Sequence, residues 1–133
     1  MRRLSSIVIA LSTLAAEARA EQLNLACDST SAGGRNTIKM FVFIDTDAKY
    51  VKMQEPHFTY EFKDGFVGPI VTGGDWMRRA SPPTLTQFVS IEETAIRFGA
   101  AGGKVRTAIA LDRRTGIMVG DDGIPAPCSR RQF

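Results

Sequence analysis

Two cysteines bracket this chain. Cys27 lies near its start and Cys128 near its end, so a bond between them obliges any fold to bring the two ends together. Whether they bond depends on compartment, and the first twenty residues bear on that. Arg2 and Arg3 form a basic start, residues 4–16 are a mostly apolar run, and Ala18-Arg19-Ala20 offers the small residues a signal peptidase reads. The run is shorter than the ~20 residues a transmembrane helix needs. This pattern predicts a signal peptide over 1–20, cleaved before Glu21, and one domain over 21–133 in the periplasm or outside the cell. An oxidising compartment and an even cysteine count favour a Cys27–Cys128 disulfide. Closing a loop of about 100 residues removes roughly 4.7 kcal/mol of unfolded-chain entropy on the simplest model. The rival use of Cys27, as a lipidated anchor, departs from the usual motif at Asn24 and strands Cys128 as an odd thiol.

Losing the signal changes the charge as well. Arg2, Arg3 and Arg19 leave against one acid, Glu17, so the net charge falls from +3 to +1. The basicity of the whole chain therefore belongs largely to the signal, and a nucleic-acid partner is not expected.

After Cys27 the sequence alternates in short apolar runs separated by turn residues. Residues 37–44 are the strongest, with Ile38, Met40, Val42 and Ile44 on one side and Phe41 and Phe43 on the other, which predicts a central or well-covered strand. Further strands are expected over 21–26, 49–53, 57–62, 66–71, 85–91, 94–98, 104–111 and 117–119. Lys63-Asp64-Gly65 reads as a hairpin turn and residues 99–103, rich in glycine, as a flexible one. A helix over 86–98 competes with two of these strands, but β-branched and aromatic residues there favour strand. About eight strands spaced roughly ten residues apart predict an all-β fold, a single antiparallel barrel or sandwich.

The chemistry of the chain is mostly negative. His57 is the single histidine, no Gly-x-Ser-x-Gly is present, and one histidine with two bridged cysteines cannot build an ordinary zinc site. Asp45 with Asp47, and Asp121 with Asp122, lack the remaining positions of a calcium loop and read as turn residues. Glu92 and Glu93 are neighbours on a strand-like segment and face opposite ways, which suits no acid/base pair. Gly102-Gly103-Lys104 lacks the hydroxyl residue and the helix that a phosphate loop requires. No catalytic residue, metal or cofactor is predicted. One feature points to binding. Trp76, Arg78 and Arg79 sit together in an irregular stretch over 72–84, and Trp and Arg are the residues that most often dominate interfaces.

Leu25-Ala26-Cys27, the late Asp112-Arg113-Arg114-Thr115-Gly116 turn and the terminal Cys128 together resemble a group of small exported bacterial β proteins. The resemblance implies a compartment and a fold. A fainter likeness is to the periplasmic inhibitors of c-type lysozyme, compact disulfide-clasped β-barrels, although Gly73-Gly74-Asp75-Trp76 stands where they carry Ser-Gly-x-x-Tyr. Within the turn, Asp112 is placed to bond the backbone and Gly116 to take a left-handed conformation, which sets the register that returns Cys128 to Cys27. The expected function is that of an exported binding or inhibitor module, not an enzyme. It would contact an envelope or extracellular protein or a small ligand through Trp76, Arg78 and Arg79. The alternative is a lipocalin-like carrier whose interior, lined by Phe41, Phe43, Phe58, Phe62 and Phe66, holds an apolar ligand.

Overall fold

The computed structural model describes residues 21–30, 34, 36–74 and 84–131. The expected signal segment over 1–20 and the residues Trp76, Arg78 and Arg79 lie outside them. Every regular element among the described residues is a strand. The first six are β1 (Gln22–Thr30), β2 (Thr37–Asp45), β3 (Tyr50–Gln54), β4 (Phe58–Lys63), β5 (Val67–Gly68) and β6 (Val71–Gly74). The rest are β7 (Leu85–Ile91), β8 (Ala95–Gly102), β9 (Val105–Asp112), β10 (Ile117–Val119) and β11 (Pro125–Arg130). They form one antiparallel sheet in the order β5-β7-β8-β9-β10-β11-β1-β2-β3-β4-β6. The all-β expectation holds, and the strand count rises from about eight to eleven because the stretch expected as one strand over 66–71 is divided between β5 and β6, and because β11, interrupted by Pro125 and Pro127, does not show as alternation.

Side-chain alternation decides which face curls inward. Leu23, Ile44, Val51 and Phe62 stand opposite one another across β1 to β4, and all four are buried. Ile96, Leu111, Met118 and Ala126 make the matching buried row across β8 to β11. The two rows belong to one core, and the rings of Phe62 and Phe98 meet inside it with centroids 5.2 Å apart. Each fully buried side chain of this size contributes about 1.5–3 kcal/mol by leaving water.

Two seams hold the curl. At the first, β1 and β11 pair directly and Cys27 faces Cys128, bonded as expected with Cα atoms 4.0 Å apart. The turn before β10 prepares this. Asp112 Oδ1 accepts the backbone N–H groups of Arg114 and Thr115, Gly116 takes φ 74°, and the N–H of Cys128 donates to the Gly116 carbonyl at 2.8 Å. Those hydrogen bonds to its backbone neighbours hold the Asp112 carboxyl below its usual range.

At the second seam the segment between β4 and β6 reaches across to β7. The N–H of Gly65 donates to the carbonyl of Gln87, and the N–H of Gln87 donates to that of Phe66. The Gln87 side chain, 3% exposed, accepts from the Lys63 N–H and donates to the carbonyls of Gly68 and Pro69. Asp64 adds an acceptor for the Val89 N–H. The Lys63-Asp64-Gly65 turn is therefore present, but the chain after it pairs with β7 before returning to β4 at Ile70 and Val71.

Two other expectations change and one holds. Residues 99–102 are strand, not flexible turn, and Gly99 is there because a Cβ would lie 2.1 Å from the Thr107 carbonyl oxygen. The strands expected over 85–91 and 94–98 are there as β7 and β8, and the competing helix over 86–98 does not form. Thr72-Gly73-Gly74 belongs to β6 and not to the irregular stretch that follows.

Candidate functional site

The outer face of the β1–β4 half carries an unusual set of rings. Alternation that buries Met40, Val42 and Ile44 necessarily points Phe41 and Phe43 outward. The strand is central in this half of the sheet, yet its outer face is open: Phe41 is 38% exposed and Phe43 half-buried. Tyr50 of β3 lies beside Phe43, with ring centroids 6.3 Å apart and planes tilted by 58°. The guanidinium of Arg131, just past β11, lies over the Phe41 ring at 4.2 Å from its centroid. Its position is fixed by a backbone bond from the Arg131 N–H to the Asn24 carbonyl. An open groove of about 400 Å³ runs across these rings. Asn24, Lys52 and Gln54 supply the rest of its polar lining, and among the described residues no acidic side chain lines it.

Polar contacts under the groove fix its floor. The Tyr50 hydroxyl donates to Glu61 on β4. Burial, and then this bond to a carboxylate, push the Tyr50 phenol well above its ordinary value. Glu61 moves the other way, held below the usual carboxylate range by hydrogen bonds from Thr72 and then Tyr50, against the opposing effect of burial and with a smaller contribution from the charge of Lys52. Glu61 therefore stays ionised and Tyr50 stays protonated at neutral pH.

The remaining exposed or half-buried phenylalanine rings named by the sequence have structural neighbours that account for them. Phe58 lies against Gly74, Phe66 against Gly68 and Phe88 against Gly99, each covering a strand position that has no side chain of its own. Phe41 and Phe43 are not among the nearest neighbours of any described glycine. Of the five phenylalanines expected to line a ligand-holding interior, only Phe62 is fully buried, while Phe41 and Phe66 are exposed. The interior is filled instead by Phe62, Phe98, Ile44, Leu85 and Ile96.

Other candidate residues resolve into turns. Asp45 accepts from the Ala48 N–H, Asp121 from Thr107 and the Ala108 N–H, and Asp122 from the Ile124 N–H. His57 is exposed ahead of β4, and Glu92 pairs with Arg97 on the surface. Among the described residues no group of three or more His, Cys, Asp or Glu side chains is placed to hold a metal. Nor is any helix among them long and apolar enough to cross a membrane. Trp76, Arg78 and Arg79 are outside the described residues, so the structure places none of them.

Sequence reading missed the groove because it treated Phe41 and Phe43 as a second buried face. A signal is present in Lys52, Gln54 and Asn24: β3 sets Lys52 opposite Phe43 and Gln54 opposite Phe41, and β1 sets Asn24 opposite Phe43 with the small Ala26 opposite Phe41. Comparison with protein-family models, curated proteins and solved structures finds no match to this chain.

Proposed function

We propose that this protein is a small exported binding module, not an enzyme, that acts in the periplasm or outside the cell. Its contact surface is the outer groove of β1 to β3, and the observation that carries this reading is the outward placement of Phe41, exposed, and Phe43, half-buried. Two large rings on the water-facing side of a central strand cost solubility, and unlike Phe58, Phe66 and Phe88 they cover no glycine. Aromatic rings with an Arg beside them have the composition that interfaces favour, and the Lys and amide side chains suit a polar rim. The disulfide supports an oxidising compartment. Trp76, Arg78 and Arg79 remain part of the proposal as a second contact, on the composition argument alone.

The test is retention of the purified protein by an envelope fraction, followed by sedimentation. Phe43→Ser is expected to lower retention while leaving the melting temperature within a few degrees, since the ring is on the outer face. Trp76→Ala measures the second contact separately. Equal retention of wild type and Phe43→Ser, with both folded, overturns the groove as the contact surface.

A further inference from the structure

We infer that the groove over β1 to β3 binds an acidic saccharide, a chain of sugar rings bearing carboxylates; this rests on reading that groove as the contact surface. The backbone around it leaves little choice about how a ligand is recognised. β1 pairs with β11 and β2, β2 with β1 and β3, and β3 with β2 and β4, so no edge is free for strand addition. A ligand must be read by side chains alone. An extended peptide laid across Phe41 and Phe43 would press unpaired amide groups onto apolar rings, which is costly. A sugar ring presents a C–H face to an aromatic ring and its hydroxyl groups at the rim.

The polar residues suit that division. Asn24 and Gln54 carry amides, each with donors and an acceptor, as hydroxyl groups require. The Tyr50 hydroxyl is committed to Glu61, so Tyr50 offers ring surface and not a donor. Charge gives the sign of the ligand. Arg131 and Lys52 line the groove, with no acidic side chain in its wall among the described residues. Lys52 stands opposite Glu61 in register and lowers that group's pKa, so part of its charge is answered. Arg131 has no carboxylate partner among the described residues. Its guanidinium lies over Phe41, and a guanidinium can give a carboxylate two parallel hydrogen bonds. Two cations on a domain of net charge +1 are too few for a nucleic acid. An open groove, not an enclosed cavity, fits a chain passing across the face.

Calorimetric titration of the disulfide-bonded protein with tetramers of galacturonate and of glucuronate, and with their fully methyl-esterified forms, tests this. The acids are expected to bind and the esters to bind at least about tenfold more weakly, the loss of one charge-assisted bond. Arg131→Ala and Phe41→Ala should each weaken the acids by about tenfold or more, and raised salt should weaken the wild type. Melting curves confirm that each variant is folded. Esters that bind as tightly as the acids, or an Arg131→Ala variant that binds like the wild type, overturn the acidic part. Failure of every tetramer, with envelope retention still sensitive to Phe43→Ser, overturns the saccharide and leaves the groove standing. If retention is also insensitive, both readings fall.

Discussion

Gln87 shows how much one side chain carries when a sheet has to meet its own far end. It is the single polar residue in the buried set among the described residues, and its carbonyl oxygen, amide nitrogen and both backbone groups are all used at the β4–β7 seam. Gln87→Leu keeps the bulk but leaves the Lys63 N–H without its acceptor, and we expect a loss of about 1–3 kcal/mol in urea unfolding. A variant as stable as the wild type would show that the seam closes without it. Tyr50 gives a second test at this scale. The chain has two tyrosines, and both phenols are raised: Tyr50 by burial and then Glu61, Tyr60 by burial and then the charge of Glu55. The folded state therefore favours the protonated phenols. Their stabilisation is complete below the unfolded value of about 10 and is lost as pH rises above it, because the unfolded chain ionises first. Ultraviolet titration of the native protein should show no tyrosine ionising at the ordinary value, whereas the denatured protein shows both. A native component near 10 in a Tyr60→Phe variant, where Tyr50 is the one phenol left, would contradict the Tyr50–Glu61 bond.

The turn between β9 and β10 was legible in the sequence almost atom by atom, and the reason is that its chemistry is local. Asp112 bonds the next turn's N–H groups and Gly116 takes a positive φ, both of which follow from neighbours within four residues. What the sequence could not display was the reach of Arg113, which pairs with Glu21 before β1 and donates to the carbonyl of Glu92 in the β7–β8 turn. The same limit explains the errors elsewhere. Gly99 looks like a loop residue until β9 is laid beside it and the Thr107 carbonyl takes the space of a Cβ. Phe41 and Phe43 look buried until the partners of β2 are known to be Asn24, Lys52 and Gln54. Gly116→Val tests the local part. A branched side chain at φ 74° is strained, and its Cβ would lie 3.0 Å from the Cys128 carbonyl oxygen. We expect a loss of about 2 kcal/mol, or several degrees in melting temperature. Envelope retention per folded molecule should not change, because the turn lies outside the proposed groove. An unchanged melting temperature would remove the turn from the account of stability.

At the scale of the whole molecule the sheet is two meanders, β1 to β4 with β6, and β7 to β11 with β5, and among the described residues backbone hydrogen bonds join them where the chain's ends meet and where the segment after β4 crosses to β7. The first junction is the expensive one. Pairing β1 with β11 brings together residues separated by 101 positions, and every contact at that seam is bought with the entropy of closing a long loop. The disulfide removes that cost from folding by keeping the ends joined in the unfolded chain, whereas the Gln87 seam, across a separation of 24 positions, needs no such help. Replacing both cysteines by serine should therefore lower stability by about 2–4 kcal/mol. It should also slow refolding, since the β1–β11 pairing becomes a distant contact that must be found by diffusion. Hydrogen exchange locates the effect. The amides of β1 and β11 should lose protection in the double variant well before those of β2 and β3, which are held by short hairpins on both sides. Uniform loss of protection across all strands would mean that the sheet opens as one unit and that the bond merely raises its overall stability. Early loss at β1 and β11 alone, with the β4–β7 seam still protected, would identify the terminal pairing as the weakest line in the curl and the disulfide as what keeps it shut.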